Sequence, residues 1–145
     1  MADFPLPSNL SVLRSFGGTN PAANNEVSET VPAGKWWMLL SVAITLVQGA
    51  TQTPQPILII DDGTNTIFEG FGSSAAQAVS TTCVYTWAPN LVLTGQIGAT
   101  VNVHSSAPLP GGLVLPAGYR IRTNTIGLGA NSDYAAPRIF VAELG

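Results

Sequence analysis

KWWMLLSVAITLV, residues 35–47, is the stretch whose reading decides the fold. With a period of two, one face carries Trp36, Met38, Leu40, Val42, Ile44 and Leu46. The other carries Lys35, Trp37, Leu39, Ser41, Ala43, Thr45 and Val47. One face is wholly apolar and one mixed, the pattern of a strand lying on a core. A long helix competes, since Met, Leu and Ala permit it, but the paired Trp and the β-branched Val42, Ile44, Thr45 and Val47 favour a strand. The run is too short to cross a bilayer, which needs about 20 residues, and Ser41 and Thr45 argue against lipid.

The same grammar continues outward. Ile57–Ile60 is fully apolar, meets Asp61-Asp62-Gly63-Thr64-Asn65 and resumes at Thr66–Glu69, which reads as a β-hairpin. Residues 78–88 alternate again. Weaker strands are expected around Leu91–Thr94 and Thr100–His104, and Tyr119–Ile126 and Arg138–Leu144 close the chain. Gly70–Gln77 and Ser105–Gly112 read as loops. VPAGK (31–35) and LPAGY (115–119) each launch a strand, with Pro32 and Pro116 expected at the first central position of a turn and Gly34 and Gly118 releasing it. No helix is apparent. Seven or eight strands at this spacing predict an all-β chain, an antiparallel sandwich or barrel. Its core is expected to include Met38, Leu40, Val42, Ile44, Cys83, Tyr85 and Ile121.

Residues 1–30 differ. Pro5, Pro7, Gly17, Gly18 and Pro21 interrupt Phe4, Leu6, Leu10, Val12, Leu13 and Phe16. Two readings stand: a first strand with loops, or an extended arm whose apolar residues dock on a neighbour. On the second, a sandwich of residues 31–145 folds without the arm, and those six residues belong to a capsid or subunit interface. MADFPLPSNL lacks a charged head and a continuous apolar stretch, so no signal peptide is read.

Composition bounds the partners. Of 145 residues, 9% are charged and 46% hydrophobic, with net charge −3, against roughly 25% charged in an ordinary soluble domain. Such a surface is built from uncharged polar residues or is covered by partners. Five cations are too few for a basic stripe, so nucleic acid is not an expected partner. Cys83 alone forms no internal disulfide, which agrees with synthesis in a reducing cytoplasm or with a fold that needs none. Trp37 and the apolar character of both faces of 35–47 suggest a homo-oligomer, with a trimer favoured.

Chemistry is sparse. His104 is the single histidine, so a catalytic triad would depend on it, and the adjacent Ser105 and Ser106 point apart along a strand. Asp61 and Asp62 lack the spacing of a calcium loop; a hairpin turn is the preferred reading, with a loop cation at 61–65 the alternative. Arg120 and Arg122 share a strand face and could pair with a carboxylate across the sheet or across a subunit boundary. Trp36, Trp37 and Trp87 could line a sugar site, or fill the core. An enzyme would need an acid pair that is not apparent; no catalytic residue, metal or cofactor is expected.

VPAGKWWMLLSVAITLV, LIIDDGTNTIFEG, AVSTTCVYTWAPNL, and LPAGYRIRTNTIGL followed by DYAAPRIFVAEL together resemble small virion proteins of tailed bacteriophages. They are most similar to capsid decoration, or cement, proteins and related jelly-roll components. The resemblance spans roughly residues 31–144 and lies in turn and strand grammar. It implies a jelly-roll sandwich, assembly on the virion against the major capsid protein, and no cofactor. A tail-associated module for host glycans is the second reading.

Overall fold

The computed structural model describes residues 12–144. They form eleven strands: β1 (Val12–Gly17), β2 (Ser28–Thr30), β3 (Trp36–Gln48), β4 (Gln55–Asp61), β5 (Thr66–Phe71), β6 (Thr82–Ala88), β7 (Val103–Pro108), β8 (Val114–Pro116), β9 (Arg120–Ile126), β10 (Ser132–Tyr134) and β11 (Arg138–Leu144). One sheet runs β1-β11-β3-β6-β7, with β8 and β10 completing the two edges of the long β3; the other runs β2-β9-β4-β5. Setting aside the short β8 and β10 and the added edge strand β7, the eight remaining strands fall in the order first, eighth, third, sixth against second, seventh, fourth, fifth. That is the order of a jelly roll, two packed sheets built from Greek keys. The expected sandwich is therefore present. One pairing departs from the expected antiparallel pattern: β6 and β7 run parallel.

Residues 35–47 form the central strand, but their faces are not the ones that simple alternation assigns. Trp37 and Leu39 point inward, then Val42, Ile44 and Leu46 do. Met38 and Leu40, expected in the core, are only half-buried. The register explains the switch. Phe140 of β11 faces Ser41 and Val141 faces Leu39, so Leu40 is an extra residue in β3. A bulge of this kind puts two residues opposite one and exchanges the faces beyond it. Cys83, Tyr85 and Ile121 are core residues as expected, joined by Trp87, Leu58, Ile60, Ile139 and Val141.

Both Pro-Ala-Gly turns form, and they meet. Lys35 N–H donates to Pro32 O and Tyr119 N–H to Pro116 O. Each Pro is thus the first corner of its turn, and Ala and Gly are central, a correction to the expected placement. Gly34 and Gly118 have φ of 74° and 88°, the left-handed value that a type II turn requires at its second central residue. Val31 N–H donates to Tyr119 O and Gly118 N–H to Val31 O. The repeated phrase thereby brings β3 and β9, from opposite sheets, together at one end of the sandwich.

Residues 12–30 are built into this fold. β1 pairs with β11 at one sheet edge, β2 pairs with β9 at the edge of the other, and Val27 and Val31 are fully buried. Glu26 anchors the connection, accepting from Thr123 Oγ1 at 2.5 Å, Thr125 N–H at 2.6 Å and Thr125 Oγ1 at 2.9 Å. Two other expectations change. Leu91–Thr94 is not a strand, and Ser105–Pro108, read as loop, belongs to β7. Every buried side-chain nitrogen and oxygen among the described residues has a hydrogen-bond partner. Gln77 is the clearest case: its amide nitrogen donates to Leu46 O at 3.0 Å and Thr81 O at 2.9 Å, and its oxygen accepts from Tyr85 Oη at 2.9 Å.

Candidate functional site

The expected site residues fall into separate places. Phe4, Leu6 and Leu10 lie outside the described residues. Val12 and Leu13 sit on the edge strand β1 and are 61% and 64% exposed. Phe16 is half-buried against Trp37, ring centroids 4.8 Å apart. Trp37 is 4% exposed and donates from Nε1 to Glu143 at 3.1 Å; it is a core residue. Glu143 also pairs with Arg14 at 2.9 Å and Lys35 at 3.3 Å, and these hydrogen bonds hold its carboxyl below the ordinary glutamate value.

Arg120 and Arg122 converge on Asp61 of the same chain. Their Nε atoms donate to Oδ1 at 2.7 Å and Oδ2 at 2.5 Å. The outer positions of β9 and the last residue of β4 place all three on one face, because Asp61 lies opposite Arg120 in the sheet. Burial works to raise the Asp61 pKa, but the two guanidinium bonds and the Gly63 N–H outweigh it and hold the carboxyl at about 2. The cross-strand reading of these arginines is the one observed. Asp62 caps the hairpin turn, accepting from Thr64 N–H and Asn65 N–H. Both carboxylates are engaged in the hairpin and the ion pair, and the described residues contain no cluster of three or more His, Cys, Asp or Glu that could hold a metal.

His104 is exposed on β7. Ser105 faces the other way, donating from Oγ to Gly72 O at 2.7 Å, and Ser106 Oγ donates to Val92 O at 2.9 Å. Trp87 is fully buried, with its indole N–H on Gly70 O at 3.2 Å. Of the three tryptophans, Trp36 alone is at the surface, so no platform of several indoles is assembled.

What the structure does assemble is a surface. From Gly70 to Tyr119, fifty consecutive residues contain no Asp, Glu, Lys or Arg. They build the flank where the edge strands β5 and β7 of the two sheets meet. On it the connection between β6 and β7 forms an apolar ledge: Val92 is 70% exposed, and Ile97 and Val101 are each 67% exposed. The ledge is held in place by backbone bonds, Thr94 N–H to Ser106 O and Ile97 N–H to His104 O, both 2.9 Å. Beside it runs an open groove of about 420 Å³, lined by Thr86, Leu91, Thr94, Ile97, His104 and Ser106. On the opposite flank, where β1 and β2 lie, are Arg14, Glu29, Lys35 and Glu143. The molecule therefore has one edge rich in charge and one that is nearly free of it, the exposed Glu69 of β5 being its one charged strand residue. None of the ledge residues stood out singly in the sequence. The signal that finds them is the position of the missing charges, not their number.

Comparison with protein-family models, with curated proteins and with solved structures returned no match.

Proposed function

We propose that this chain is a non-enzymatic structural protein of a bacteriophage virion, which decorates and stabilises the capsid by bridging major capsid subunits. It docks through the charge-poor β5–β7 flank. The observation that carries this reading is the exposed ledge of Val92, Ile97 and Val101 within fifty residues devoid of charge. A contact with a large protein surface gains from apolar area and loses from every charge desolvated without a partner. Jelly rolls occur in both viral capsid and lectin domains, and a fold alone does not choose between them. The choice of a virion rests on the resemblance of residues 31–144 to capsid decoration proteins. The glycan-binding reading has one exposed indole in its favour, Trp36.

The test is redecoration. Capsids stripped of the native protein are mixed with the full chain or with a Val92→Asp/Ile97→Asp/Val101→Asp variant. Wild-type protein should bind and the variant should not, while its circular dichroism and urea midpoint stay unchanged because all three sites are exposed. Undiminished binding by the variant would remove the flank from the account. Failure of the wild type to bind capsids, with retention on host glycans, would favour the glycan reading.

A further inference from the structure

The outer face of the seven-stranded sheet carries a second pattern. Among the described residues only two outward positions on its strands hold a charge. Arg138 on β11 lies opposite Ala43 of β3, and Asp133 on β10 lies opposite Val47. Both are exposed, and among the described residues neither side chain has an ion-pair partner. β10 and β11 occupy the same edge of β3, so the two charges stand in line along that strand. Four residues separate them, about 13 Å at roughly 3.3 Å per residue. Between them the surface is made of small side chains, and a cleft of about 200 Å³ is lined by Ala43, Thr45, Val84, Ala135, Ala136 and Arg138.

We infer that this face is the contact between two copies of the chain, related by a two-fold axis that passes over Thr45 perpendicular to β3. That operation reverses direction along the strand and leaves position across the sheet unchanged. It sets Arg138 of one copy over Asp133 of the other, and the reverse, giving two ion pairs from one of each charge. It also sets Val47, which is exposed, over the small Ala43 of the second copy, and β6 Thr82 over Thr86. An isologous interface requires this self-complementarity: one patch must carry both halves of each contact, symmetric about a point. A partner of different chemistry would need only a carboxylate and would give Asp133 no role. The contact is small: symmetric about Thr45, it runs from Val42 to Gln48, about 23 Å at roughly 3.3 Å per residue. Five strands at about 4.8 Å spacing then give on the order of 550 Å² per copy, below the about 800 Å² per partner of a standard interface, so association is expected to be weak and dependent on concentration. Small residues at the centre let the two sheets approach closely, with the two copies of β3 running antiparallel across the axis. This pairing differs from the three-fold assembly favoured by composition. It shares Thr86 and β7 with the groove of the β5–β7 flank, but the charge-reversal variants lie on β10 and β11 and the ledge variants on the β6–β7 connection, so the two tests fail separately.

Sedimentation velocity on the full chain at increasing concentration is the test. The wild type should approach the mass of two chains. Arg138→Glu places two acidic pairs at the interface and Asp133→Arg two basic ones, and each should weaken association by at least about tenfold. The double variant Asp133→Arg/Arg138→Glu restores both pairs with reversed polarity and should return to within roughly threefold of wild type. A wild type that stays monomeric, or that reaches the mass of three chains, overturns the inference. So do single variants that dimerise like wild type, or a double variant that remains as weak as the singles.

Discussion

Replacing Asp61 by Asn probes the link between the hairpin and β9. The substitution keeps the shape and lets the side-chain oxygen go on accepting from Gly63 N–H, but it removes the charge that Arg120 and Arg122 share and turns an amide donor toward a guanidinium donor. A carboxyl held at about 2 instead of 3.8 corresponds to roughly 2.4 kcal/mol at pH 7, at about 1.36 kcal/mol per pH unit of displacement. The arginine side chains are 39% and 32% exposed, so water screens part of the interaction, and about 1–2 kcal/mol is the expected loss. The folded-state value lies below the unfolded one, so this stability is fully present above pH 4 and is lost as pH falls from about 4 toward 2. Urea unfolding of wild type and variant at pH 7, 4 and 2 measures it. The gap between the two proteins should be largest at pH 7 and close as the pH approaches 2. A gap of the same size at pH 7 and pH 2, or none at pH 7, would refute the reasoning.

The bulge at Leu40 makes a second expectation: Leu39→Ala should cost about 2–5 kcal/mol and Leu40→Ala roughly 1 or less, and chemical denaturation giving the opposite order would place the bulge elsewhere. Gln77→Leu removes one hydrogen bond each from Leu46 O, Thr81 O and the Tyr85 hydroxyl, of which Thr81 O keeps Gln48 N–H and the Tyr85 hydroxyl keeps Gln96 Nε2, and should cost about 1–3 kcal/mol, whereas a neutral result by thermal melting would mean that water replaces the amide. The Cys83 thiol is buried and its pKa is pushed up to about 11, so a thiol reagent at pH 8 should react with it only at the rate of unfolding, and prompt labelling of native protein would contradict the burial. A chain beginning at Glu29 loses β1, Val27 and the Glu26 bonds to Thr123 and Thr125; it should unfold at markedly lower urea than the full chain, and an unchanged midpoint would show that residues 12–28 contribute nothing to the sandwich.

Much of the fold is legible in the chain because alternation and turn residues are local signals. Gly34 and Gly118 mark their turns and Asp62-Gly63 marks the hairpin, and each is where its pattern puts it. What is not legible depends on partners distant in sequence. The Leu40 bulge is set by how β11 lies on β3, and no residue near Leu40 announces it, so the core face of the deciding strand is misassigned for its first half. β1 is legible only as one of two readings of the first thirty residues, because it is an edge strand with nearly all its side chains exposed, and without a buried face there is no alternation to decide between them. Ser105–Pro108 resembles a loop in its small residues and proline, yet pairs in parallel with β6, an outermost position where a missing proline N–H does no harm. The sequence allows the carboxylate for Arg120 and Arg122 on any neighbouring strand, and the register alone selects Asp61. At the candidate site, composition reports few charges, while topology is needed to show that the uncharged fifty residues collect on one flank and that Arg138 and Asp133 share another face.

Counting the copies of this chain on purified virus particles, by quantitative mass spectrometry against the major capsid protein, tests decoration of a capsid most directly. Hundreds of copies per particle, in simple ratio to the major capsid protein, is the expected result. A few copies or a dozen would place the protein in the tail, and none would contradict a virion role altogether.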